Sequence, residues 1–222
     1  YDLKSGEGGV RYAPGTGIEV DLVYRATSGE YKSAQRYGDD GSALLCNNNC
    51  RKNDYDEDSL QARVQYRPSE DSSLGGFVGY TRRDYDQGNR HFRGLTAGFD
   101  TEWAVSGAVQ MRASLGRSIE PDDDAVTGSY ADTWSLNFSP TIQATGKITV
   151  EPYLRFYDRR YKGDQLAAGQ VERKDKIYMV GAEADYEFRR NMFLMASISR
   201  EQRDSNRANL DYKANVFGLG LK

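Results

Sequence analysis

Tyr153, Arg155, Tyr157 and Arg159 alternate along the stretch Ile148 to Arg160, so in an extended chain they share one face. Arginines set between tyrosines offer charge and flat rings together, the chemistry that holds a charged or polyhydroxylated solute. Carboxylates Glu183, Asp185 and Glu187 recur at the same spacing further on, and Arg63, Arg67 and Arg112 occupy similar positions earlier. One expectation is a transverse field between basic and acidic walls, able to orient a solute. The competing expectation is structural. The Arg155 strand should neighbour the Glu183-Asp185-Glu187 strand, and the two would then form a cross-strand ladder of ion pairs.

Other residue types promise less. His91 is the sole histidine, in Gly88-Asn89-Arg90-His91-Phe92 at a loop-to-strand junction. A hydrolase needs a nucleophile beside an orienting base; His91 reads as an exposed loop residue, and the spacing of the many carboxylates identifies no acid and base, so no enzyme is expected. Cys46 and Cys50 flank Asn47-Asn48-Asn49 in a polar segment. A metal site would want further Cys or His, and a redox couple usually has C-x-x-C spacing, so a local disulfide is expected. The acidic runs Asp54-Tyr55-Asp56-Glu57-Asp58 and Asp122-Asp123-Asp124 lack the glycine and spacing of a calcium loop. They read as a solvated rim facing cations bound to lipopolysaccharide. No Gly-rich phosphate loop is present, and the net charge of −3 is spread without a basic block, so neither a cofactor nor nucleic acid is expected.

The elements that must position these residues are strands. Period-two alternation runs through Ile18–Arg25, Leu60–Arg67, Leu74–Thr81, Leu95–Trp103 and Val109–Gly116, then Thr133–Ile142, Ile148–Arg159, Tyr178–Phe188 and Met192–Ser199. A weak first strand spans Glu7–Ala13. The closing run Asn209–Lys222 is a strand whose apolar phase shifts near Val216-Phe217, where a bulge is expected. That makes about eleven readable strands and no convincing helix. Short turns alternate with longer polar loops, the longest expected over 27–57, as in an up-and-down meander.

Which face meets water decides the class. A soluble sheet would bury the face of Ile148, Val150, Leu154 and Phe156; a membrane barrel would turn it to lipid. No apolar run approaches the ~20 residues of a membrane helix, but transmembrane strands need only alternate apolar residues. The apolar phases are long and carry Tyr24, Tyr66, Tyr80, Trp103, Tyr130, Trp134, Tyr178 and Tyr186 near their ends, where interfacial aromatics collect. The other phase is rich in Arg, Glu, Asp, Ser and Thr. The expectation is an all-β chain, 1–222 as one transmembrane up-and-down antiparallel barrel of about twelve strands or part of a larger one. Its polar phase would line the lumen.

The closing segment Arg200 to Leu221 contains an arginine-rich strand, Asp204-Ser205-Asn206, Asp211-Tyr212 and a final Gly218-Leu219-Gly220-Leu221. In this it resembles the last hairpin of outer-membrane β-barrel porins encoded with bacterial exopolysaccharide systems. The resemblance implies a Gram-negative outer-membrane channel for a polar, saccharide-like solute, with lipid, lipopolysaccharide and envelope proteins as partners. A non-conducting anchor for an envelope assembly is the alternative. Those porins are usually longer, and outer-membrane barrels commonly end in an aromatic, where this sequence ends in Lys222.

Overall fold

The computed structural model describes residues 2–15, 17–30, 36–37, 43–44, 54–86, 91–121, 130–162 and 171–221. In chain order the strands are β1 (Asp2–Tyr12), β2 (Ile18–Glu30), β3 (Arg36–Tyr37), β4 (Ala43–Leu44), β5 (Tyr55–Ser69), β6 (Ser72–Tyr85) and β7 (His91–Ser106). There follow β8 (Val109–Pro121), β9 (Tyr130–Phe138), β10 (Thr141–Thr145), β11 (Ile148–Lys162), β12 (Lys174–Arg189), β13 (Met192–Ser205) and β14 (Tyr212–Leu221). No helix occurs among the described residues. Every strand but β3 and β4 joins one twelve-stranded antiparallel sheet in which sequence neighbours pair. β3 and β4 pair with each other in a separate two-stranded sheet. Among the described residues no register joins β1 to β14, which stand at the two ends of the order.

β9 and β10 follow one path. Phe138 faces Ala113 and Leu154, and Ile142 faces Val109 and Val150, so the registers on both sides continue across the gap without a slip. Pro140 interrupts the ladder because it has no N–H to donate. Counted apart the two pieces bring the sheet to twelve strands; taken together they leave the eleven passages legible in the sequence.

The face polarity is inverted relative to a soluble sheet. Leu22, Leu60, Val78, Tyr80, Leu95 and Ile198, all of the apolar phase, are each more than half exposed. Residues of the opposite phase are buried: Ser59, Thr81, Thr96, Arg83, Thr133 and Asp175. Among the described residues no second layer covers either face of this meander, so burial of the polar side marks it as concave. The convex side is a belt of hydrocarbon with no water-compatible purpose, the arrangement of a membrane-spanning sheet.

The long-loop end is the best-packed part of the concave side. Tyr55, Tyr85, Phe92 and Tyr130 form a buried cluster with Ile119 against it. Tyr55 and Tyr85 meet at 5.8 Å between ring centres, and Phe92 meets Tyr130 edge to face at 5.4 Å. At the other end the turns are tight. Gly17 has φ +74°, and a Cβ there would lie 2.6 Å from the Arg67 carbonyl oxygen, while Arg67 N–H donates to the Gly17 carbonyl at 2.8 Å. Both the left-handed backbone and the close approach require glycine.

Three expectations need correction. The loop placed over 27–57 is shorter, because Thr27, Ser28 and Gly29 pair with Glu57, Asp56 and Tyr55 and so extend β2 and β5. Residues 55–58 of the first acidic run therefore belong to a strand, with Asp56 and Asp58 still exposed: Glu57 binds Arg83, and Asp58 accepts the Tyr24 hydroxyl at 2.5 Å. Finally, β14 has no bulge. Its register to β13 runs unbroken from Leu194↔Leu221 to Arg203↔Tyr212, and Val216 simply sits on the polar face opposite Ser199. Asp122-Asp123-Asp124 and the pair Cys46 and Cys50 lie outside the described residues.

Candidate functional site

The concave face is built by alternation alone: β strands supply every second residue to it, and register decides which of them meet. Across β1, β2 and β5 the result is a linked set of ion pairs. Arg25 binds Glu7 at 2.5 Å, Arg63 reaches the same Glu7 at 3.4 Å, Arg11 binds Asp21 at 2.8 Å and Arg67 binds Glu19 at 3.1 Å. Arg63 also donates to Gln61. Arg112 pairs with Glu102 at 3.0 Å across β7 and β8. On this side basic and acidic groups are interleaved within each pair of strands, so they neutralise one another locally instead of forming opposed walls.

The β11–β12 wall differs. The strands are neighbours as expected, but the register sets Arg155 opposite Met179, while Glu183 faces Glu151 and Asp185 faces Thr149. Arg155 is thus about four residues, ~13 Å, from the level of Glu183. The expected ladder between Arg155 and the acidic run does not form. Among the described residues neither Glu183 nor Asp185 makes an ion pair, and Glu187 accepts the Asn191 backbone N–H in the turn at 3.2 Å. Antiparallel pairing is the cause: Arg155 lies at the middle of β11 and Arg159 beyond it, whereas the carboxylates occupy the second half of β12, which runs back to the other end. The wall is acidic toward the short turns and basic toward the long loops, so charge separates along the strands.

Tyrosines on this wall lie flat. A Cβ on Gly181 would meet the Tyr153 ring at 2.6 Å, so the ring rests over that glycine, and the Arg155 guanidinium stacks on it at 4.6 Å from the centroid. Arg159 stands 5.5 Å over Tyr157, whose hydroxyl donates to Asn137 at 3.4 Å. Phe77 covers Gly98 in the same fashion. We expect Gly98→Ala to displace the Phe77 ring and cost about 1 kcal/mol of folding stability, and Phe77→Leu to relieve most of that cost. Urea titration of the two single variants and the double variant measures it; additive losses would mean the ring does not use the glycine.

Sequence reading missed the most buried charged group. Asp175 is fully buried at the start of β12 and accepts from Arg173 at 2.8 Å, from Arg203, and from the Ser205 hydroxyl at 2.7 Å. Arg173 stacks over Tyr161 at 4.1 Å. In the same row, Arg159 faces both Thr133 and Asp175 and reaches Glu120 at 3.4 Å. Thr133 Oγ1, Arg159 Nε and Arg203 Nε are buried with no protein partner. Parity was the available signal, since Asp175 is in phase with Ile177 and Gly181; the charged context Glu172-Arg173-Lys174 hid the strand start.

His91 opens β7 at the exposed rim, where its Nδ1 lies 2.8 Å from Asp84. Beyond the Tyr80 girdle, partial burial raises the Asp84 carboxyl, but hydrogen bonds and charges from Arg82 and His91 outweigh it and hold the carboxyl below its ordinary value. Among the described residues no cluster of His, Cys, Asp and Glu could hold a metal ion.

Comparison with known proteins places this geometry. The outer membrane channel DcaP of Acinetobacter baumannii superposes with TM-score 0.63 at 14% identity, covering 97% of this chain and 61% of DcaP. The copper transporter OprC matches with TM-score 0.62 at 11% identity over 98% of this chain and 40% of its own. The alcaligin outer membrane receptor FauA of Bordetella pertussis matches with TM-score 0.56 at 15% identity, over 98% and 41%. The chain therefore spans less than two thirds of each of these proteins. No curated protein matches the sequence. A family model, Putative beta-barrel porin 2, matches residues 72–222. With its apolar convex belt, its charged concave face and that match, this chain belongs to the Putative beta-barrel porin 2 family, as a porin-like β protein of the bacterial outer membrane.

Proposed function

We propose that the chain forms the wall of a passive channel for a polar, saccharide-like solute, with the β11 face as its principal contact. The observation that carries this reading is the pairing of Tyr153 with Arg155 and Tyr157 with Arg159 on the concave side. Flat rings beside guanidinium groups suit a sugar, whose axial faces are apolar and whose hydroxyls accept from arginine. Because Tyr153 lies over Gly181, the contact is offered without an aromatic ring projecting across the lumen. The reading assigns no catalytic step and no cofactor.

A second reading, an envelope anchor that does not conduct, draws support from the long-loop end, where Tyr55, Tyr85, Phe92 and Tyr130 are packed into a buried cluster. Single-channel recording in a planar lipid bilayer separates the two. We expect stable ohmic steps whose size and ion selectivity change in Arg155→Ala, with transient block by an added linear oligosaccharide that weakens in Tyr157→Ala. A folded barrel that inserts but stays silent would overturn the channel and leave the anchor.

A further inference from the structure

The convex surface departs from its apolar pattern near the end of the sheet. Arg200 on β13 belongs to the outward phase, opposite Val180 on one side and Asn215 on the other. It is exposed, and among the described residues it has no ion-pair partner. Outward on the same strands stand Gln202, Lys213 and Lys176, toward the long-loop rim. The nearby carboxylates are engaged: Asp204 accepts the Gln202 amide at 2.9 Å, and Asp158 lies 3.5 Å from Arg160. Both carboxylates also stand opposite Lys176 in register, so the uncompensated positive charge is that of Arg200 and Lys213.

Next to Arg200 is a cleft of about 260 Å³ walled by Leu154, Phe156, Tyr178 and Val180, with Arg200 and Gln202 at its margin. The Phe156 and Tyr178 rings, 5.0 Å apart and tilted 42°, make one side of it. An apolar slot opening on the bilayer accepts hydrocarbon. A cation on a lipid-facing strand costs free energy that falls toward the interface, and an anionic headgroup above the slot offsets the remainder. Arginine grips a phosphate with two parallel N–H donors.

We propose that this cleft binds lipopolysaccharide, an acyl chain lying between Leu154 and Val180 and a lipid A phosphate on Arg200, Lys213 and Gln202. The assignment to that lipid follows from place and charge. The cleft lies in the half of the sheet nearer the long loops, which face outward in outer-membrane barrels. The lipid of that leaflet carries phosphate directly above its acyl chains. The proposal is independent of the channel reading, because none of these side chains lines the concave face.

Native mass spectrometry of the purified full chain tests it, with bis-phosphorylated lipid A, phosphate-free lipid A and phosphatidylglycerol as probes. We expect wild type to retain bis-phosphorylated lipid A and Arg200→Gln to retain about tenfold less, as loss of a charge-assisted bidentate contact implies. Val180→Trp, which fills the slot with a residue native to lipid-facing strands, should lose the lipid while Arg200 is intact. Heat-modifiable migration on a gel checks that each variant is folded. Equal retention by Arg200→Gln and wild type would overturn the site. So would equal retention of phosphate-free lipid A by wild type, and equal retention of phosphatidylglycerol would overturn its assignment to lipopolysaccharide.

Discussion

Asp175→Ala is expected to destabilise the protein by about 3–5 kcal/mol, the cost of removing one partner from a buried ion pair. Asp175 has no exposed surface, and the two guanidinium groups on it, from Arg173 and Arg203, are only 5% and 19% exposed at the side chain. Removing the carboxylate takes the counter-ion from Arg203 where little solvent reaches it, takes one partner from Arg173, and strips the Ser205 hydroxyl of its acceptor. Asp175→Asn keeps the shape and some of the hydrogen bonds but not the charge, so its loss should fall between those of wild type and alanine. Adding Arg203→Met to Asp175→Ala should recover part of the stability, because the orphaned cation is then gone. Urea unfolding in lipid vesicles, followed by tryptophan fluorescence, gives the numbers. A loss below about 1 kcal/mol would show that water reaches this row and that the cluster is an ordinary surface network.

Val78→Arg tests the inversion of the sheet. Val78 is 53% exposed, sits between Ala62 and Ala97 in register, and lies inside the apolar belt bounded by Tyr80 on β6. On a soluble surface such a change would move stability by no more than about 0.5 kcal/mol. Facing hydrocarbon it should cost about 2–4 kcal/mol. Gln65→Arg, on the concave phase opposite Gly75, serves as the matched control and should be close to neutral. If both variants unfold with the midpoint of wild type, the convex face meets water and the membrane assignment fails.

Much of the fold was legible because alternation is a local property. Ile18–Arg25, Leu74–Thr81 and Tyr178–Phe188 each declared two faces through a handful of consecutive residues, and lipid selects strongly for one of them. The ends of strands were less legible. Thr27-Ser28-Gly29 and Tyr55-Asp56-Glu57 look like loop composition, and only their mutual pairing makes them strand. Val216 suggested a bulge because an apolar residue stood in the polar phase, yet the concave face holds Val23 and Ile177 as well. A polar face accepts some hydrocarbon, so one apolar residue is poor evidence of a phase change.

By itself the sequence determined the class of the protein, the two faces of its strands and the set of arginines, tyrosines and carboxylates on the polar one. The closing hairpin pointed to the porin-like family that the match over residues 72–222 bears out. Only the tertiary structure decided which of those groups meet: that Arg155 faces Met179 and not Glu183, that Tyr153 lies over Gly181, and that Asp175 is locked between Arg173 and Arg203. The physical reason is that side-chain direction repeats every two residues along a strand and is written in each short segment. The offset between neighbouring strands is set by the summed pairing of whole strands and their turns, and a shift of two residues keeps every face while changing every partner.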